Sequence, residues 1–169
     1  DATENGGALR TSTDPVLSEI AVLTSRAVIG KVVDSLPDLR VRTTGFSLRD
    51  VTHFGFDAPG PQPMLAAKIA LAFGAHEITA TAADGTVTHG GYGAPLSSSG
   101  VHFTIATRPR EKHGTLDVLR RETAAQRLAN SVKVKPRENT SVIDVSFAST
   151  DPLLAQNFGA VQRVEVLKG

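Results

Sequence analysis

The feature that most constrains this chain is an amphipathic stretch near its start, residues 14–36. Asp14 is suited to capping the first free N–H groups of a helix, and Pro15 fits the first helical position, where its missing donor is not needed. Leu17, Ile20, Ala21, Val28, Ile29, Val32, Val33 and Leu36 recur at spacings of three and four, and Pro37 ends the run. The spacing predicts one long helix whose apolar stripe must be covered by another layer.

Past it, Leu39-Arg-Val-Arg-Thr-Thr alternates apolar and polar and reads as a half-buried strand. Gly55, Pro59, Gly60, Pro61 and Pro63 then cluster in a loop that marks a module boundary. Residues 64–121 carry mostly strand signals. Glu77-Ile-Thr-Ala-Thr-Ala alternates, and Asp84-Gly85 offers a φ-positive pair for a tight hairpin before Thr86-Val-Thr-His. Ser97-Ser-Ser-Gly100 is a turn, and Val101, Phe103 and Ile105 share a face. Residues 121–131 regain helical spacing through Ala124, Leu128 and Ala129, and strands follow at 132–135 and 141–147. Asp151-Pro152 repeats the cap-then-proline device, predicting a last helix through Leu154, Phe158, Val161 and Val164.

The fold class expected is therefore α/β (α+β), with a small mixed sheet and two long helices formed by both chain ends, plus a β-rich, sandwich-like insertion. Residues 1–13 read as a flexible leader, 14–53 and 122–169 as the α/β domain, and 54–121 as the inserted module.

The wording of these elements narrows the field. Ser18-Glu-Ile-Ala-Val-Leu-Thr-Ser-Arg-Ala-Val28, then Lys31-Val-Val-Asp-Ser-Leu36, resembles the first periplasmic helix of bacterial polysaccharide chain-length determinants, or polysaccharide co-polymerases. Ser141-Val-Ile-Asp-Val-Ser-Phe147 followed by Asp151-Pro-Leu-Leu-Ala-Gln-Asn157 is similar to that family's closing strand and second long helix. Gly90-Gly-Tyr-Gly and Gly100-Val-His-Phe-Thr-Ile105 are similar to the β region of its exopolysaccharide-type, tyrosine-autokinase-associated members. The resemblance implies the periplasmic part of an inner-membrane protein that works as a scaffold and brings no catalytic residue. It also implies homo-oligomeric rings, a polysaccharide polymerase and an outer-membrane export protein as partners, and a kinase domain either fused or separate. The family's membrane anchors would lie outside these residues, since no window here approaches 18 consecutive apolar positions.

The chemistry of the side chains agrees with a non-enzymatic reading. There are no cysteines, so disulfides, thiolate metal sites and cysteine nucleophiles are excluded. His76-Glu77 opens like a zinc-protease helix, but position 80 is Ala, and no metal or cofactor is expected. His89 and His102 could approach each other across strands, but each is expected to be an ordinary solvated or hydrogen-bonded histidine. Gly90-Gly-Tyr-Gly lacks the lysine and helix of a phosphate loop. A net charge of +1 with 21% charged residues offers no basis for nucleic-acid binding.

The cations are unevenly placed: residues 108–137 hold nine Lys or Arg against three Asp or Glu, half of the 18 in the chain. Arg108, Arg110, Lys112, Arg120 and Arg121 are the candidates for contact with an anionic glycan or a neighbouring subunit. Arg26, Lys31 and Arg163 are candidates for oligomer-facing positions on the two long helices. With no Trp, one Tyr and seven Phe, tight stacking of sugar rings is not expected, and only a weak glycan contact remains. Two other readings stay open: a stand-alone carbohydrate-binding β module, and a ring-forming adaptor of another cell-envelope complex.

Overall fold

A computed structural model describes residue 21 and residues 25–136, 138, 139, 142–147 and 162–165. The described chain is α+β, with two helices and eleven strands in three sheets. Helix α1 is Arg26–Ser35 and helix α2 is Arg121–Ser131. The strands are β1 Val41–Thr44, β2 Val51–Phe56, β3 Ala67–Phe73, β4 Glu77–Thr81, β5 Val87–Gly91 and β6 Pro95–Ser98. They continue as β7 Val101–Ile105, β8 His113–Val118, β9 Val132–Pro136, β10 Val142–Phe147 and β11 Gln162–Glu165.

Strand order in the largest sheet is β1-β8-β3-β4-β5; β2-β7-β6 and β11-β10-β9 form the other two. Every pairing is antiparallel. The expected mixed sheet is thus corrected: hairpins join β3–β4, β4–β5 and β6–β7, and the long-range neighbours β1–β8, β3–β8 and β2–β7 also meet antiparallel. Ser99 and Gly100 both take positive φ, as a two-residue hairpin between β6 and β7 requires. At the β4–β5 turn only Gly85 is left-handed, so this hairpin has a longer loop than the expected φ-positive pair would make. Asp84 Oδ1 closes it by accepting from Thr86 N at 2.9 Å.

The period of two decides where the core lies. Ile69, Leu71 and Phe73 of β3, Ile78 and Ala80 of β4, Val101, Phe103 and Ile105 of β7, and Leu116 and Val118 of β8 all point into one cluster. The five-stranded sheet and the β2-β7-β6 sheet therefore bury facing sides in a common core. A second, smaller cluster of Ile29, Val33, Leu39, Ala124 and Leu128 joins α1 to α2.

Several boundaries differ from the sequence expectation. The first helix is interrupted: Ser25 is extended (φ −64°, ψ 147°) and its side chain accepts from Val28 N, so α1 starts afresh at Arg26. Ser25 favours this by offering its hydroxyl as a cap in competition with helix continuation. Asp14 and Pro15 lie outside the described residues. Strand β1 pairs with β8, and β2 pairs with β7, so residues 41–56 share sheets with the expected insertion, and the expected boundary at 53/54 falls inside β2. Gln162–Glu165, expected to be helical, is a strand paired with β10. Its surroundings hold Val161, Val164 and Val166, β-branched residues that suit extended backbone better than a helix. Residues 151–161 lie outside the described residues.

Arg40 ties the two clusters together. It is 1% exposed, yet no carboxylate among the described residues hydrogen-bonds it. Its Nε donates to Leu119 O (2.8 Å), one terminal nitrogen to Pro61 O (2.8 Å) and Gln62 O (2.9 Å), and the other to Leu65 O (2.7 Å). The guanidinium carbon lies 4.5 Å from the centre of the Phe56 ring. Removing it would take a charge-assisted donor from four carbonyls, of which Gln62 O keeps a second donor in Leu65 N at 3.2 Å. Arg40→Ala should therefore cost about 3–5 kcal/mol, since several hydrogen bonds to a charged group, each worth about 1.5–3 kcal/mol, are lost together. The nearby exposed Arg42→Ala should change stability by less than about 0.5 kcal/mol. Urea unfolding of both variants checks this, and an Arg40→Ala loss below about 1 kcal/mol would show that the loop does not depend on the clamp.

Candidate functional site

Among the described residues a concave site lies where α1, α2 and the proline-rich loop meet. It is a groove of about 520 Å³, with Ile29 and Ala125 among its apolar walls, Pro63 and Met64 at one side, and Arg26, Arg121 and Glu122 contributing charge. Met64 is 71% exposed, an unusual position for the only methionine in the chain.

Its shape follows from a glycine. Gly30 sits inside α1, where glycine costs about 1 kcal/mol relative to alanine. A Cβ there would come within 2.6 Å of the Arg121 guanidinium. The missing side chain lets Arg121 lie across α1 and reach Asp34 one turn on. The contact is bidentate, Nε to Oδ1 at 2.6 Å and a terminal nitrogen to Oδ2 at 2.8 Å. The Arg121 hydrogen bond holds the Asp34 carboxyl below its usual range, and Asp34 in turn raises the guanidinium. The Arg121 main-chain N–H donates to Pro63 O, so one residue fixes the second helix to both the loop and the first helix.

The sequence candidates separate in space. Arg108, Arg110 and Lys112 precede β8, whereas Arg120 and Arg121 follow it. Six strand residues put roughly 20 Å between the two groups. They are not a single strip, and Arg121 is engaged by Asp34. Arg26 does join Arg121 at the groove. Lys31 is exposed on α1, but five residues from Arg26 places it about 140° around the helix. Arg163, expected on a helix face, is in β11, where its Cα partner is Asp144. The correction follows from that segment being a strand.

The histidines divide between carboxylates instead of meeting. His89 Nδ1 contacts Glu77, and His102 Nδ1 lies 3.0 Å from Asp57 Oδ1. His89 and His102 sit in different sheets. No group of three or more metal-ligating side chains occurs among the described residues. No described helix is long and apolar enough to cross a membrane.

Arg40 was missed because strand alternation assigns it outward, between Leu39 and Val41. The available signal was in the loop: three prolines at 59, 61 and 63 supply carbonyls while removing N–H donors. Each of those carbonyls finds a donor: Gln62 Nε2 for Pro59, Arg40 for Pro61, and the Arg121 N–H for Pro63.

No protein-family model matches this chain, and no curated protein matches it in sequence.

Two outcomes test the Gly30–Arg121–Asp34 arrangement. Gly30→Ala should not gain the stability that helix propensity alone allots to it, because the guanidinium must leave Asp34; a gain of about 1 kcal/mol would contradict this. Asp34 has a depressed folded-state pKa, so its contribution is complete above the unfolded value near 4 and is lost as pH falls through the folded value. The difference in melting temperature between the parent and Asp34→Asn should shrink from pH 7 to pH 2.5. A constant difference would remove the ion pair from the account.

Proposed function

We propose that this chain is a non-enzymatic periplasmic part of a polysaccharide co-polymerase, an inner-membrane protein that regulates the chain length and export of an exopolysaccharide or capsule. The observation that carries the reading is the wording of residues 18–36. The second half of that stretch is helix α1, packed through Ile29 and Val33 against α2. The Ser141–Phe147 wording, similar to the same family's closing strand, spans β10.

On this reading the paired sheets are a β-sandwich module, and the helix pair with β9–β11 belongs to the co-polymerase part. The work asked of such a domain is mechanical: to hold a fixed shape in a ring of copies beside the polymerase and the export protein. A clamp such as Arg40, whose donors all end on the chain's own carbonyls, suits that work better than it suits catalysis. Ring assembly would draw on copies of the same chain, with Arg26 and Lys31 on exposed positions of α1.

The test is genetic and physical. Deleting the encoding gene in its bacterium should shift or broaden the size distribution of the secreted glycan, and the intact gene should restore it. A Val33→Asp version, which puts a charge into the α1–α2 core, should fail to restore it. Size-exclusion profiles of the glycan read the result. An unchanged distribution after deletion would refute the proposal.

A further inference from the structure

The end of the paired sheets where β3, β5 and β7 run out gathers three loops that the groove does not use. Phe73 N donates to Lys112 O (2.8 Å), Gly93 N donates to Ile105 O (2.8 Å), and the Tyr92 hydroxyl donates to Gly74 O (2.7 Å). Arg108 lies at the same end, where its charge acts on the Tyr92 hydroxyl. Ala106 N donates to Asp50 O, which sets Arg49 at the same end. These bonds bring together residues distant in sequence: the only tyrosine of the chain, and the exposed Arg108, Arg110 and Lys112.

Tyr92 is half-buried and packs against the core of the sheets, so its ring is held from below while its hydroxyl is held by the bond it donates to Gly74 O. An aromatic ring fixed in this way is a ready platform for the C–H face of a pyranose, since it loses little freedom on binding. The cations beside it are free of the constraint that occupies Arg121, and a guanidinium matches a carboxylate in two-pronged geometry. Acidic groups at this end are Asp50, Glu111 and Glu77, the last engaged with His89. They moderate the field, which argues for weak binding.

We propose that this rim is a weak binding site for an acidic polysaccharide, with a sugar ring on Tyr92 and uronic-acid carboxylates on Arg108, Arg110 and Lys112. The inference deepens the scaffold reading, on which the choice of a polysaccharide over other polyanions rests. It gives the growing glycan a place to touch the scaffold and let go.

Titration of the isotope-labelled chain with hexagalacturonate, followed by amide NMR at low salt, tests it. The amides of Tyr92, Gly93 and residues 108–112 should shift. Affinity should fall about fivefold or more on raising the salt from 0.05 to 0.5 M, because screening shortens the reach of the cations. Arg108→Ser/Arg110→Ser and Tyr92→Leu should each weaken binding at least about threefold, and the neutral cellohexaose should bind more weakly than the acid. The double arginine variant changes exposed positions, so it keeps the test open if Tyr92→Leu does not fold. Shifts confined to the α1–α2 groove, or undiminished binding by the arginine variant, would overturn the proposal. So would an undiminished folded Tyr92→Leu variant together with equal shifts from inorganic phosphate, which would leave an anion patch only. If the rim fails while gene deletion still changes glycan length, the contact is wrong and the scaffold stands; the reverse result separates them the other way.

Discussion

A single buried guanidinium sets the relation between the parts of this protein. Taking an arginine out of water is costly, and burial pulls the Arg40 pKa down while the Asp34 charge works against that shift. Among the described residues the cost is offset by backbone carbonyls and not by a hydrogen-bonded carboxylate. Four carbonyls surround the cation, and three of them, those of Pro61, Gln62 and Leu65, come from the loop between β2 and β3, where each proline lacks an N–H. The match is chemical: arginine has only donors, and the prolines leave the loop short of them.

From that clamp the geometry propagates. Arg40 fixes the loop, the loop presents Pro63 O to the first turn of α2, and Arg121 at that turn reaches across Gly30 to Asp34. Leu119 is held from both sides, its N–H on Arg40 O and its own carbonyl on the Arg40 side chain. The passage from β8 into α2 is therefore pinned to the passage from α1 into β1. The groove lies beside these contacts and is lined by residues of α1, α2 and the loop that they hold together.

How much of this could be read beforehand depends on whether a residue's role is local. The alternation of Val101, Phe103 and Ile105, the spacing of Ala124 and Leu128, and the Ser-Gly turn at 99–100 announce their elements because the period and the turn chemistry are local properties. The antiparallel order, the pairing of β1 with β8, and the burial of Arg40 depend on partners tens of residues away, and alternation assigned Arg40 to the wrong face. Ser25 and residues 162–165 show the other failure, where a helical spacing of apolar residues competes with a capping hydroxyl or with β-branched side chains and loses. The basic residues 108–121 were legible as a charge excess but not as two groups, since β8 separates them by its own length. The part of the rim that matters most in the glycan proposal, Tyr92, was visible only as a lone aromatic in a glycine-rich turn.

The central claim is that the Arg40 clamp makes the paired sheets and the helix pair one cooperative unit. Native-state hydrogen exchange measures this directly. The amides of Leu119 and Arg121, which report the clamp, should exchange with the same opening free energy as Ile69 and Leu116 in the core of the sheets. If they exchange through a separate, lower-energy opening while Ile69 and Leu116 stay protected, the helices and loop unfold on their own and the clamp does not unite them.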